Sequence, residues 1–267
     1  ALKSSPKFKF LQMDLTDMDN LKRLPKSDVI IHAATYSPPR IFLNNPLDTL
    51  KLNTTTLFAL LEKLSDDGVL LFISTSEVYN GLTKPPFKET DIGTSTTEHP
   101  RACYIEAKRC GEAICLSSGK NAKIVRVSLV YGSGARASDS RVLYDFVNQA
   151  LIDKKIVVKG GADNLRTYCY VEDAIDMMWD VIIKGKEKIY NIGGDSVMTI
   201  KEMADVIAKA TGVKYSVSSQ EEFSGVPSTV QVDMSRYNNE FGEYKYTSFW
   251  DGFNRVVDWH KTLNNIK

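Results

Sequence analysis

Two short stretches carry side chains suited to removing a proton from a hydroxyl group. The first, Ser74-Thr75-Ser76-Glu77-Val78-Tyr79, closes the apolar run Val69-Leu70-Leu71-Phe72-Ile73, and the second is Tyr104-Ile105-Glu106-Ala107-Lys108. Tyr104 and Lys108 are four apart in a segment read as helix, which sets them side by side on one face. An ammonium beside a phenol favours the phenolate, so the pair predicts a tyrosine whose pKa is lowered toward the working pH. Thr75 would hold the hydroxyl, with Ser76 and Glu77 next to it. A chain with 12 tyrosines contains a Tyr-x-x-x-Lys by chance, so the pair acquires meaning only from the elements that position it.

The apolar run before Ser74 is entered through Asp67-Gly68 and reads as a buried parallel strand. Ligands of open α/β sheets bind beyond the carboxyl ends of such strands, which is where Thr75 to Glu77 fall. Upstream, residues 7–13 predict a strand that gives way at Asp14-Leu15-Thr16-Asp17 to a helix N-cap. Residues 28–34 predict a second buried strand ending in Ala33 and Ala34, small enough to let a flat ligand approach the backbone. Pro46 starts a helix reaching about residue 64 that contains Asn53. Residues 80–100, rich in Gly, Pro and Thr, form a loop placed over the site.

A helix over 101–118 carries Tyr104 and Lys108 and stops at Gly119, and a strand over 123–131 follows. This alternation specifies a doubly wound α/β fold with a parallel sheet. Further on, the pattern predicts a helix over 141–152, a strand over 155–159, a helix over 171–184 with Met177, Met178 and Trp179 in the core, and a strand over 188–193. A helix over 199–211, an edge strand over 229–234 and an amphipathic helix over 249–263 complete the chain. Arg136, Arg141 and Arg166 lie in or beside loops, and their forked guanidinium groups suit a diphosphate.

With 267 residues, 43% of them hydrophobic and 25% charged, the chain can bury a sizeable core as one large or two modest domains. A net charge of +1 without a long basic run argues against nucleic acid or an anionic membrane as the main partner and favours small molecules. Cys103, Cys110, Cys115 and Cys169 lack Cys-x-x-Cys spacing and His32, His99 and His260 are scattered, so neither a metal site nor a disulfide framework is expected. Reduced thiols, no membrane-spanning run and no signal-peptide pattern are read as a cytoplasmic protein. Repeats, low-complexity tracts and flexible linkers are not found.

Taken in order, Asp14-Leu15, His32-Ala33-Ala34, Asn53, Ser74 to Tyr79, Tyr104 to Lys108, Arg126 to Gly132, Arg166 to Asp173 and Tyr190-Asn191-Ile192-Gly193 resemble the extended short-chain dehydrogenase/reductase family, in its nucleotide-sugar epimerase, dehydratase and decarboxylase branch. The resemblance implies a Rossmann-type sheet, NAD as cofactor and a nucleotide-diphosphate sugar as substrate. Residues 1–135 would be the NAD-binding part, with later segments returning to it, and 136–267 mainly the nucleotide-sugar part. Asp14 and Leu15 would flank the adenine, and Ala33 and Ala34 would line the dinucleotide. Lys108 would hold the nicotinamide ribose, with Asn53 and Tyr104 in the same cofactor set. Arg166 would meet the diphosphate or a sugar carboxylate. A homodimer through the helices at 46–64 and 101–118 is also implied.

The sequence departs from the family pattern in two places. The Gly-rich first turn and the acidic ribose-reading residue are absent, because the sequence opens at what resembles the third strand. Residues 7–13 would then lack a neighbour and a gap would open beside 29–33. The expectation is a truncated form lacking on the order of 40 to 60 residues, a strand, helix and strand. The alternative is a naturally shortened chain whose cofactor site is lost. In addition, Ser128 stands where the family usually has Asn.

Members of the branch share oxidation of the sugar at C4, and the reaction that follows depends on the neighbours of Thr75. Thr75-Ser76-Glu77 resembles both UDP-glucuronate decarboxylases and GDP-mannose dehydratases, whereas dTDP-glucose dehydratases carry an aspartate where Ser76 stands. Ser37-Pro38-Pro39, Asn45-Pro46 and Thr49-Leu50-Lys51 most resemble the decarboxylases. Decarboxylation is therefore the expectation, with a 4,6-dehydratase as alternative and a catalytically silent nucleotide-sugar or NAD-binding protein as a reading of another class.

Overall fold

A computed structural model describes residues 5–218 and 229–265. In chain order it contains α1 (Met18–Lys22), β1 (Ser27–His32), α2 (Pro39–Asn44), α3 (Pro46–Asn53), α4 (Thr55–Glu62), β2 (Leu64–Thr75), α5 (Ala102–Ser117), β3 (Ala122–Val127), β4 (Leu129–Tyr131) and α6 (Val142–Asn148). Then come β5 (Lys155–Lys159), β6 (Leu165–Tyr170), α7 (Val171–Lys184), β7 (Ile189–Ile192), β8 (Ser196–Thr199), α8 (Ile200–Thr211), β9 (Lys214–Ser218), β10 (Thr229–Val230), α9 (Ser235–Phe241) and α10 (Phe249–Leu263).

The sheet that carries the site is parallel throughout, with strand order β1-β2-β3-β7. Alternate side chains of β2 enter opposite cores, as the pleat requires. Leu70 and Phe72 pack with Leu57, Leu60, Leu61 and Ile114 of α4 and α5, while Leu71 packs with Met177, Val181, Tyr190 and Tyr237 of α7, β7 and α9. Helices therefore cover both faces, and the fold is a doubly wound α/β fold. Each fully buried Leu or Phe in these layers contributes about 1.5–3 kcal/mol relative to exposure. Gly111 sets how closely α5 lies on the sheet, since a Cβ there would collide with the Phe72 ring and come within 2.9 Å of the Asn53 carbonyl.

A second sheet, β10-β6-β4 with β8 antiparallel to β6, and the pair β5-β9 surround another core, which includes Tyr131, Phe146, Val147, Ile156, Met203, Ile207 and Phe253. The expected strand over 123–131 is divided between the two sheets. Val127 still pairs with Ile192, the Ser128 N–H bonds the Ile192 carbonyl at 2.8 Å, and Leu129 pairs with Tyr168. The chain changes sheet at Ser128.

Other expectations need correction. Residues 7–13 form no strand: their side chains are mostly exposed and they have no strand beside them among the described residues, and an extended segment is held only by a ladder partner. The helix over 46–64 is broken at Thr54, whose φ of −122° and ψ of −79° leave the helical region, and Leu64 already belongs to β2. α6 ends at Asn148 and passes into a π-helical turn, Gln149–Asp153. Trp179 is exposed on α7, whereas Met177 is buried. Beyond Val230, the expected edge strand over 229–234 is reduced to a bridge between Val232 and Phe87.

β1 is the edge of its sheet. Among the described residues no strand pairs its outer side, and Val29 and Ile31 are 45% and 43% exposed there. The loop over 80–100 is anchored, with the Phe87 N–H bonded to the Gln231 carbonyl and its own carbonyl accepting from the Asp233 N–H.

Candidate active site

β2 ends at Thr75, a buried residue whose Oγ1 accepts the Glu77 N–H at 3.2 Å and so caps a 3₁₀ turn, Ser76–Tyr79. Beside this turn runs α5, which presents Tyr104, Lys108 and Glu112 at intervals of one turn, all three buried. The Thr75 hydroxyl is near enough to the Tyr104 phenol to act on its ionisation. The Lys108 Nζ donates to the Ile73 carbonyl at 2.6 Å and stands 5.9 Å from the centre of the Tyr104 ring and 4.8 Å from that of Phe72. Thr75, Ser76, Glu77, Tyr104 and Lys108, predicted from two separate stretches, thus occupy one place at the carboxyl end of β2.

The protonation state differs from the expectation. Burial pushes the Tyr104 phenol up to about 12, with Thr75 opposing this, Glu77 adding to it and Arg101 and Arg141 reducing it. Burial brings Lys108 down to about 7, opposed by the Glu112 carboxylate. Spacing alone predicted an ammonium acting on a phenol, but desolvation disfavours the charged form of both groups. Phe42 of α2 strengthens that desolvation, stacking on Tyr104 with centroids 4.7 Å apart and planes at 10°.

Glu77 is not free. Its Oε1 lies 2.5 Å from Arg101 Nη2, and the Arg101 guanidinium also sits 5.4 Å from the centre of the Phe42 ring. Ser76 and Glu77 line a small cavity of about 30 Å³ with Tyr79, Leu82 and Phe87.

Beneath these residues lies a closed polar network. Ser74 Oγ donates to Glu112 Oε1 at 2.5 Å, and Arg126 grips Glu112 through Nε at 3.0 Å and Nη2 at 2.7 Å. Arg126 Nη1 also donates to the Tyr79 hydroxyl, which in turn donates to Asn191 Oδ1 at 2.7 Å. The network ties the end of β2 to α5, β3 and β7.

A cleft of about 770 Å³ opens between the loop after β1 and residues 134–141, lined among others by Tyr36, Arg40, Arg136, Asp139 and Arg141. Arg136 is exposed on its wall. Arg141 is held by Asp139 through Nε at 3.0 Å and Nη2 at 2.6 Å, and its charge acts on Tyr104, linking cleft and phenol. Arg166 does not line this cleft; it is buried in β6 with Nη1 on the Leu165 carbonyl.

Of the residues assigned to a dinucleotide, Ala33 and Ala34 directly follow β1. Asn53 is buried, with Nδ2 donating to Thr35 Oγ1 and the Thr49 carbonyl and with Oδ1 unpartnered. Asp14 is exposed and accepts from the Thr16 N–H and hydroxyl, which hold its carboxyl below the ordinary range. The Leu15 carbonyl accepts from Thr56 at 2.7 Å. The small alanines and the unpaired Asn53 oxygen fit the approach of a flat polar group.

Sequence reasoning missed Phe42, Arg101 and Glu112. Glu112 follows Lys108 by four residues, a same-face spacing that was legible, and Arg101 precedes Tyr104 by three. Phe42 gave no signal, because α2 meets α5 only through the tertiary fold. Among the described residues no group of three His, Cys, Asp or Glu side chains could hold a metal ion, and no helix is long and apolar enough to cross a membrane. The four cysteines are free thiols.

In a doubly wound parallel sheet ligands bind beyond the carboxyl ends of the strands, which is where the buried Tyr104–Lys108 pair lies. The model of the NAD dependent epimerase/dehydratase family matches residues 1–193, and the chain belongs to that family, whose cofactor is NAD. UDP-glucuronic acid decarboxylase 1 of Danio rerio is 27% identical over 237 residues, covering 87% of this chain and 57% of that protein. The chain thus spans less than two thirds of that relative's length. UDP-glucuronate 4-epimerase of Thermodesulfobacterium geofontis is 28% identical over 273 residues, covering 97% of this chain and 81% of that one. In fold, the chain is similar to the crystal structure of DesIV, a dTDP-glucose 4,6-dehydratase of Streptomyces venezuelae solved with NAD bound. The TM-score is 0.86 at 22% identity, over 99% of this chain and 83% of that one.

Proposed function

We propose that the protein acts on a nucleotide-diphosphate sugar, oxidising it at C4 and then releasing the C6 carboxylate as carbon dioxide, as a UDP-glucuronate decarboxylase does. The observation that carries this reading is the convergence of Thr75, Tyr104 and Lys108 at the end of β2. Thr75 holds the C4 hydroxyl, and Tyr104 Oη, once it has given up its own proton, takes that of the hydroxyl. Lys108, titrating near 7, supplies the compensating positive charge at Nζ when protonated.

NAD, when bound, supplies the hydride acceptor. Ala33, Ala34, Asn53, Tyr104 and Lys108 would hold its nicotinamide half, and Asp14 and Leu15 its adenine end. Arg136 and Arg141 on the cleft would take the diphosphate, and Arg166, off the cleft, is assigned to it on sequence grounds alone. In this division residues 1–135 mainly serve the cofactor and 136–267 the nucleotide sugar.

A ketone at C4 makes a C6 carboxylate part of a β-keto acid, which loses carbon dioxide without a strong base. Ser76, which is no strong acid, speaks against assisted loss of a hydroxyl. A 4,6-dehydratase is the second reading, favoured by the buried and unpartnered Glu77 Oε2, a base for a C5 proton. Full-length protein incubated with NAD and UDP-glucuronate, GDP-mannose or dTDP-glucose separates the two by product mass. Loss of carbon dioxide from UDP-glucuronate is the expected result, loss of water from a neutral sugar establishes the second reading, and no change with any substrate overturns both.

A further inference from the structure

We propose that Arg101 is the specificity-determining residue that recognises the carboxylate of a uronic-acid substrate through the open edge of its pair with Glu77. The inference deepens the function proposed above and rests on it for the substrate class.

Two arginine–glutamate pairs, one buried and one partly buried, lie within this region and they are finished differently. In the Arg126–Glu112 pair both Nε and Nη2 are spent on the same carboxylate, and Ser74 occupies one of its oxygens. The Arg101–Glu77 pair has a single link, Nη2 to Oε1 at 2.5 Å, between side chains only 12% and 17% exposed. Arg101 Nε and Glu77 Oε2 are both buried and both unpartnered. A buried donor and a buried acceptor left open in one pair are costly unless something completes them.

The pair flanks the residues assigned to the C4 oxygen, and its charges act on one of them. Glu77 is two residues past Thr75 and Arg101 three before Tyr104, so both flank the residues that handle the C4 oxygen. C6 is two bonds from C4 through C5, within one side chain's breadth. The charges of Arg101 and Glu77 both act on the Tyr104 phenol, which agrees with that proximity. Arg141 also acts on Tyr104, but its Nε and Nη2 are closed on Asp139. Arg101 is therefore the guanidinium beside the phenol that retains a free N–H edge. Phe42, under that guanidinium and stacked on Tyr104, fixes its plane relative to the reacting centre. A carboxylate accepts from the Nε–H, and a neighbouring sugar hydroxyl donates to Glu77 Oε2. A neutral hydroxymethyl group in the same place brings no charge to the guanidinium.

The test compares binding of UDP-glucuronate and UDP-glucose to full-length protein by calorimetry. The wild type is expected to prefer the uronate, Arg101→Gln to lower that preference about tenfold or more, and Arg101→Lys to keep part of it. Because Arg101→Gln leaves the Glu77 carboxylate without its counterion, Arg101→Gln/Glu77→Gln is measured alongside; its melting temperature should stay near that of the wild type and its preference should also fall. No preference in the wild type, or the same preference in a folded Arg101 variant, overturns the assignment. An Arg101-dependent preference without carbon dioxide release sinks the decarboxylase reading and leaves Arg101 as the carboxylate site; release with a preference indifferent to Arg101 does the reverse.

Discussion

Tyr104 and Lys108 share one helix face and are buried together, yet burial moves their pKa values in opposite directions, to about 12 and about 7. Neither is charged for most of the time just above neutrality, so a proton leaving the phenol or arriving at the amine changes the charge of a desolvated site. Removing the phenol oxygen should therefore halt chemistry without disturbing packing. Tyr104→Phe is expected to lower NADH formation with a competent sugar by about 10²–10⁴-fold, with a melting temperature near the wild type; NADH formation at the wild-type rate would refute the assigned role. Lys108 carries a second consequence. Its folded pKa is depressed, so from about 7 to 10.5 the unfolded chain holds a proton there that the folded chain lacks, and this contribution to stability rises with pH across that window. The difference in urea midpoint between wild type and Lys108→Met should shift in favour of the wild type from pH 7 to 10. A constant difference would mean that Lys108 titrates normally.

At the level of elements, the site is held by the junction of β2, α5, β3 and β7 rather than by any one of them. Ser74, Glu112, Arg126, Tyr79 and Asn191 form a buried chain of hydrogen bonds across that junction. Removing one member of a buried ion pair strands the other's charge, so Glu112→Ala should cost about 3–5 kcal/mol of unfolding free energy. Glu112→Gln, which keeps an oxygen for Ser74 and Arg126, should cost less, and denaturant titration measures both. Equal losses would show that the charge carries the whole contribution and the retained oxygen none. The capping box at Thr199 and Glu202 and the left-handed Gly212, φ 70°, show the contrasting case of a helix whose limits are set locally.

For the molecule as a whole, the helices beside the site leave apolar side chains in solvent. Leu47 of α3 is 70% exposed and Phe58 of α4 57%. We propose that this face joins two copies of the chain. Light scattering of the full-length protein should give a dimer mass, and Leu47→Lys/Phe58→Lys a monomer; a monomeric wild type or a dimeric variant would remove the proposal.

Much of this was written along the chain. The parallel strands of the first sheet follow from short apolar runs between helical patterns, and α5, α7, α8 and α10 follow from apolar spacing, with Gly119 as the stop of α5. The meeting of Thr75 with Tyr104 was legible because a strand end and a helix face have fixed directions. What only the tertiary structure decided depends on neighbours distant in sequence. Residues 7–13 have strand composition but no ladder partner among the described residues, and the run over 123–131 divides at Ser128 because two sheets claim its ends. The ionisation of Tyr104 and Lys108 also lay beyond the sequence. Their spacing specifies which charges are near, whereas desolvation is set by how Phe42, Phe72 and the sheet close around them, and here it outweighs the charges.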